Sequence, residues 1–162
     1  MTSPNDRATV EAFYRCFAAK DGAGMAACYA ADATFSDPVF PSLRGPEVGA
    51  MWEMITSRAQ DFTLTLDEVR DEDSRVVARW TAHYTFTGTG RSVVNHVTST
   101  LRIVEGKIAQ QRDDFDFRAW QAQALGAFGR FLGWTGLPSR IVRNGAAKNL
   151  AAYRRARATP IA

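Results

Sequence analysis

Apolar positions fall at helical spacing first and at strand spacing later. Val10, Phe13 and Phe17 recur every three to four residues behind Ser3-Pro4. That predicts an amphipathic helix with Ser3 as N-cap and the proline in its first turn. Asp21 predicts the cap of a short second helix running through Tyr29, and residues 33–36 an extended piece. In "RGPEVGAMWEMI" Pro46 opens a third helix, with Val48, Met51, Trp52 and Ile55 as its inner stripe. Beyond residue 60 the period drops from about 3.6 residues to about 2. Phe62, Leu64 and Leu66 alternate. Trp80, Ala82, Tyr84 and Phe86 share one face of the next strand, and Arg79, Thr81, His83 and Thr85 the other. "GTGR" and "EGK" predict turns that join this strand to "SVVNHVTSTLRIV" and then "KIAQQRDDFDF". Helices first, then a meander of long antiparallel strands, make an α+β fold. Between Trp120 and Gly136, glycines at 126, 129, 133 and 136 interrupt a helical pattern. Each costs about 1 kcal/mol against alanine inside a helix, so bent helical pieces are expected. A last amphipathic helix, capped by Ser139, carries Ile141, Leu150 and Tyr153.

Composition narrows the function classes. Hydrophobic residues make up 46% and charged ones 23% of 162 residues, with ten Phe, four Trp and four Tyr to line a pocket or fill a core. No apolar run is long enough to span a bilayer, and "MTSPNDRATV" lacks the regions of a signal peptide, so a cytoplasmic protein is expected. Cys16 and Cys28 read as reduced, small hydrophobes. Two histidines, His83 and His96, and no CxxC give a zinc site little to work with, and no metal is expected. Residues 1–116 carry 12 basic and 17 acidic groups, a net of −5, whereas residues 117–162 carry eight basic groups and no acid. A basic helix lying against an acidic body explains this asymmetry. No aromatic and basic interleaving marks a nucleic-acid reader, so neither nucleic acid nor membrane is an expected partner.

Two carboxylates stand out. Asp37 lies between Phe35 and Val39 and precedes Pro38. It either begins a surface turn, a common use of Asp-Pro, or points inward as a desolvated acid–base group. Alternation on the last strand sends Gln111, Asp113 and Phe115 one way, and Arg112, Asp114 and Asp116 the other. If Phe115 faces a pocket then Asp113 does too, and Arg112 pairs with acids on the outer face. Reversed parity or a bulge gives the opposite arrangement. His83 and His96 fall on the outer face.

"YAADATFSDPVFPSLRG" resembles the segment between the second helix and the catalytic aspartate of ketosteroid isomerases. Residues 6–118 as a whole resemble the NTF2-like superfamily, in its SnoaL-like and ketosteroid-isomerase-like branch. The resemblance implies a cone of three helices on a curved antiparallel sheet around a hydrophobic pocket, with Asp37 as general base. "GKIAQQRDDFDF" is similar to the catalytic strand of limonene epoxide hydrolases, whose aspartate matches Asp113. The isomerases' oxyanion-binding tyrosine falls on Phe13; Tyr14, one residue on, is rotated by about 100°. Their protonated aspartate falls on Ser99 or, in another register, Thr98. Neither is acidic. The epoxide hydrolases' Arg-x-Asp reads Arg79-x-Thr81 or Trp80-x-Ala82.

The expected organisation is an NTF2-like domain over 1–118 and a helical extension over 119–162 packed on it. The expected pocket is lined by Phe13, Trp52, Trp80, Tyr84, Asn95, Ser99, Phe115 and Trp120, with Asp37 and Asp113 as catalytic groups and no cofactor. An enzyme acting on a small hydrophobic carbonyl or cyclic molecule is the leading expectation. A non-catalytic binder of the same ligands is the second, and a dimerisation scaffold the third. A homodimer through the outer sheet face is what the resemblance implies.

Overall fold

A computed structural model describes residues 4–59, 61–132 and 135–158, so the expected cap Ser3 and Gly133 lie outside the described residues. Helix α1 (Pro4–Ala18) buries Val10, Phe13, Tyr14 and Phe17, a stripe wide enough to take two adjacent rings inside. Helix α2 (Gly22–Ala27) is capped by Asp21, which accepts the Gly24 N–H at 2.8 Å. It stops short of Tyr29. The Cys28 N–H closes the last turn on Met25 O at 3.1 Å, and the Cys28 carbonyl is taken by the Ile108 N–H at 2.9 Å. Tyr29 therefore opens strand β1 (Tyr29–Ser36), which starts earlier than the predicted extended piece.

Strand β2 (Leu43–Arg44) and helix α3 (Pro46–Arg58) follow, then β3 (Thr63–Glu72), β4 (Arg75–Phe86), β5 (Arg91–Val104) and β6 (Lys107–Asp114). These form one six-stranded sheet in the order β2-β1-β6-β5-β4-β3. Strands β3 to β6 are the predicted meander. Strand β1 pairs with β6 in parallel, so the sheet is mixed rather than wholly antiparallel. The long excursion through α3 and four strands, β2 to β5, lets the chain re-enter from the same end.

Register places Ala78 opposite Ser99, Trp80 opposite Val97 and Ser99 opposite Asp113. These residues and Gln111 are buried under the helices. Arg79, His83, His96 and Arg112 lie on the exposed outer face, where Arg112 makes a forked pair with Asp114 at 3.0–3.2 Å. The predicted parity therefore holds along β6 and over Arg79–Tyr84 of β4, while Thr85, predicted outward at the strand's end, also borders the inner cavity.

Helices α4 (Phe117–Leu125), α5 (Ala127–Leu132) and α6 (Leu137–Ala158) complete the described chain. Gly126, at φ +61°, makes the bend between α4 and α5, and a Cβ on Gly129 would stand 2.2 Å from the Gln121 carbonyl oxygen. Ser139 is not the cap of α6. The helix starts at Leu137, whose N–H bonds Thr135 Oγ1 at 3.2 Å, and Ser139 Oγ instead accepts from Gln121 Nε2 at 3.0 Å. Arg154 pairs with Glu47 at 3.0 Å and Arg157 with Glu53, so the basic helix does lie on the acidic body. Such exposed pairs contribute at most about 1 kcal/mol each, and the packing of Leu150 and Tyr153 adds to them. Among the described residues no helix is long and apolar enough to cross a membrane.

Candidate active site

The inner face of the sheet, α1, α3 and α4 enclose a cavity of about 260 Å³. Its wall is mostly rings and thioethers, including Phe17, Trp52, Trp80, Phe115, Trp120 and Met51. Few polar groups interrupt it. Asp37 and Asp113 are the two carboxylates, joined by Tyr84, Asn95, Thr85, Thr87 and the Arg58 side chain.

Asp113 sits deep on β6, 3% exposed. Strand alternation turns it inward with Gln111, and a chain of donors converges on it. Trp52 Nε1 donates to Tyr29 Oη at 2.9 Å, Tyr29 donates to Gln111 Oε1 at 2.6 Å, and Gln111 Nε2 donates to Asp113 Oδ1 at 2.9 Å. From the other side Tyr14 Oη donates to Ser99 Oγ at 2.7 Å, Trp80 Nε1 to the same oxygen at 2.9 Å, and the Ser99 hydroxyl bonds Asp113. Desolvation nevertheless dominates and pushes the carboxyl up to about 7. The bonds from Ser99 and Gln111 pull it down, and the charge on Asp37 pushes it up again. Tyr14 and Tyr29 are raised well above the usual phenol range, first by burial and then by Asp113, so both stay protonated as donors.

Asp37 is held by its own turn. Pro38 fixes its own φ in the turn, and Asp37 Oδ1 accepts the N–H groups of Val39 at 2.7 Å and Phe40 at 2.5 Å. The Asp37 N–H returns to Phe40 O at 2.9 Å. Both readings of Asp-Pro are thus true at once: one oxygen caps a turn while the side chain lines the cavity. Burial raises this carboxyl to about 6, against the two backbone N–H groups and the charge of Arg143. Asp37 pushes Asp113 up without an equal return, because the acid that ionises first does so beside a still-neutral neighbour. Tyr84 accepts from Trp120 Nε1 at 2.7 Å and keeps its own proton to donate, its hydroxyl raised by burial and, more weakly, by Asp37. Near neutral pH one wall therefore holds a carboxylate, a half-protonated carboxylic acid and a phenol.

Of the expected lining, Trp52, Trp80, Tyr84, Asn95, Phe115 and Trp120 do reach the cavity. Phe13 does not. It is fully buried, edge-on to Trp52, Tyr14 and Tyr29, and serves as core. Ser99 also lies off the wall, behind Asp113, where its hydroxyl relays Tyr14 and Trp80. Sequence reasoning missed Tyr29 and Arg143. The helical spacing places Tyr29 in α2, whereas it opens β1 and so meets Gln111. Arg143 lies over a hundred residues from Pro38 and leaves no local signal. Among the described residues no group of three His, Cys, Asp or Glu side chains is placed to hold a metal ion.

Residues 10–111 match the family described as the SnoaL-like domain. No curated protein matches the chain. Solved structures with the same fold include a hypothetical protein with a ketosteroid isomerase-like fold from Catenulispora acidiphila, in complex with trimethylamine. It is 15% identical, with a TM-score of 0.63 over 72% of this chain and 91% of that one. A proposed polyketide cyclase from Xanthomonas campestris pv. campestris is 21% identical, with a TM-score of 0.62 over 74% and 96%. An LEH-like epoxide hydrolase from M. tuberculosis is 19% identical, with a TM-score of 0.63 over 82% and 94%. At these identities the structural likeness speaks for the cone fold, and the match spanning residues 10–111 makes the chain a member of the SnoaL-like domain family.

Proposed function

We propose that this protein moves protons within a small, apolar, carbonyl-bearing or cyclic molecule, with Asp37 and Asp113 as its acid–base pair. One observation carries the reading: two carboxylates from distant segments line one ring-walled cavity, with values raised to about 6 and about 7. An acid and a base near the working pH are what proton transfer at carbon needs. The Asp37 carboxylate takes a proton from the carbon beside the carbonyl. The C–H electron pair moves through the carbon onto oxygen, and protonated Asp113 or the Tyr84 hydroxyl donates to that oxygen. Asp37 then returns its proton to a different carbon of the conjugated enol while the oxygen gives its proton back to Asp113 or Tyr84, which re-forms the carbonyl with the double bond shifted and completes an isomerisation. No step calls for a cofactor. A volume of about 260 Å³ lies just below the usual range of ligand pockets, about 300–1,000 Å³, and suits one or two rings. The neighbours named as a cyclase and an epoxide hydrolase make cyclisation and hydrolysis the next outcomes to test.

The test is deuterium exchange into a panel of apolar cyclic ketones in D₂O, followed by proton NMR. The expected result is saturable exchange that Asp37→Asn abolishes while ligand affinity stays within about twofold. A second reading, a non-catalytic binder, draws on the Tyr14 and Tyr29 hydroxyls. Both are spent on Ser99 and Gln111, which leaves Tyr84 as the phenol on the wall. Compounds that bind but exchange no faster than with Asp37→Asn would decide for the binder.

A further inference from the structure

The Asp37 turn is touched by a part of the chain that lies outside the family match. Arg143, on α6, donates from Nε to the Pro38 carbonyl at 2.8 Å. Its guanidinium lies over the Phe117 ring, 5.7 Å from the centroid. Phe117 stacks on Trp120 at 5.6 Å, and Trp120 both lines the cavity and bonds Tyr84. A continuous belt of contacts therefore runs from β4 through α4 and α6 to the turn that carries the base.

We infer that Arg143 is a positioning residue for Asp37, tying the Asp37–Phe40 turn to the C-terminal helices and fixing where the carboxylate stands on the cavity wall. The inference rests on the acid–base reading of Asp37 for its catalytic meaning, though its geometry stands without it. Two features of Arg143 act together. The bond to the Pro38 carbonyl anchors the Pro38–Val39 peptide, whose N–H is one of the two that hold Oδ1. The cation beside the turn favours the ionised carboxylate, the form a general base needs. The other groups that face Asp37 do not replace it. Tyr84 from β4 is neutral, Asp113 from β6 repels, and Arg58 at the end of α3 lines the same cavity without a role among the causes that set Asp37. The extension is thus part of the site: it supplies a wall in Trp120 and an electrostatic clamp in Arg143. A SnoaL-like domain cut at residue 111 would have neither.

The experiment is a carbon-13 NMR titration of the aspartate carboxyls in the full chain, as wild type, Arg143→Met and Arg143→Lys, at low and high salt. Methionine keeps an unbranched chain over Phe117 but loses the charge and the donor. The Asp37 midpoint is expected to rise by about 0.5–1 pH unit in Arg143→Met and to fall back most of the way in Arg143→Lys. In the wild type, 1 M salt shortens the Debye length to about 3 Å and moves Asp37 upward, whereas Arg143→Met does not move upward. Amide chemical shifts unchanged outside the Asp37 turn and α6 report that the fold is kept. An Asp37 midpoint unchanged in folded Arg143→Met overturns the inference. Should that variant fail to fold, a wild-type Asp37 midpoint indifferent to salt does the same. Because the readout needs no substrate, a shifted Asp37 with no exchange activity would sink the proposed function and leave this inference standing. Exchange activity with an unmoved Asp37 would do the reverse.

Discussion

Asp113 and Asp37 are the same residue type in one cavity, yet their surroundings share almost nothing. Asp113 is sealed on the middle of the sheet and held by side chains from β1, β5, β6, α1 and α3, all within the segment that defines the family. Asp37 is half-buried at the end of an edge-side strand and held by the backbone of its own turn and by Arg143 from the extension. The first is a carboxyl that its network can hold either with or without a proton. The second is a carboxyl that mostly ionises near neutral pH. The lesson is that desolvation raises both, and the donor set decides by how much each recovers.

Removing the base should break the comparison hardest. Asp37→Asn keeps a turn-capping oxygen but cannot take a proton, and exchange is expected to fall by about 10²–10⁴-fold with little change in affinity. Asp113→Asn should lose less, because Tyr84 remains to donate to the developing oxyanion. The pair also dictates the shape of the pH profile. The fastest turnover has Asp37 ionised, above about 6, and Asp113 protonated, below about 7, so the rate should peak between the two and fall at higher pH to the level that Tyr84 alone supports. A rate that climbs steadily to pH 9 would remove Asp113 from the mechanism.

The two carboxylates also differ in how far the sequence announces them. Parity on β6 was legible because alternation is rigid: Phe115 inward carries Asp113 inward, and Arg112 beside Asp114 marks the outer face. The period change near residue 60 gave the meander, and Asp-Pro gave the turn. What stayed hidden depends on distance along the chain. Whether a turn residue is solvated depends on what packs near it, and here that includes Arg143 of α6, over a hundred residues away. Phe13 and Tyr14 show the same limit on a helix. A buried stripe wide enough for both rings sends Phe13 to the core and Tyr14 to Ser99, and a spacing rule by itself cannot divide those roles. The parallel pairing of β1 with β6 was likewise out of reach, since it follows from where the chain re-enters the sheet.

Stability should separate the two sites next. Both folded values lie above the unfolded aspartate value of about 3.9, so between roughly pH 4 and 7 the folded chain keeps protons that the unfolded chain has lost. Stability therefore falls as pH rises through that window and levels off above about 7. For Asp113 the loss is on the order of 3–4 kcal/mol, and for half-buried Asp37 it is smaller. Asp113→Asn should accordingly be more stable than the wild type at pH 8, by on the order of 2–4 kcal/mol, and close to it at pH 4.5. Urea unfolding at the two pH values measures both. Equal destabilisation at both pH values would mean that the amide breaks the donor network instead of relieving a buried charge.

The smallest expected effects dissect the network itself. Ser99→Ala removes the hydroxyl that bonds Asp113 and leaves Tyr14 Oη and Trp80 Nε1 without their acceptor. Each orphaned buried donor should cost about 1–3 kcal/mol in urea unfolding, less whatever a rearranged partner or water recovers, and the Asp113 midpoint should rise further above 7. Tyr14→Phe deletes one donor and orphans nothing, because Ser99 Oγ still accepts from Trp80. Its cost should stay near 1 kcal/mol, and Asp113 should rise by less than in Ser99→Ala. The order of the two matters more than either value. If Tyr14→Phe moved Asp113 as far as Ser99→Ala does, the phenol would be acting on the carboxyl directly and Ser99 would not be the relay. Neither substitution should move Asp37, whose holders are backbone groups and Arg143 on the other side of the cavity. A shift of Asp37 in either variant would mean that the two acids are coupled through packing as well as through charge.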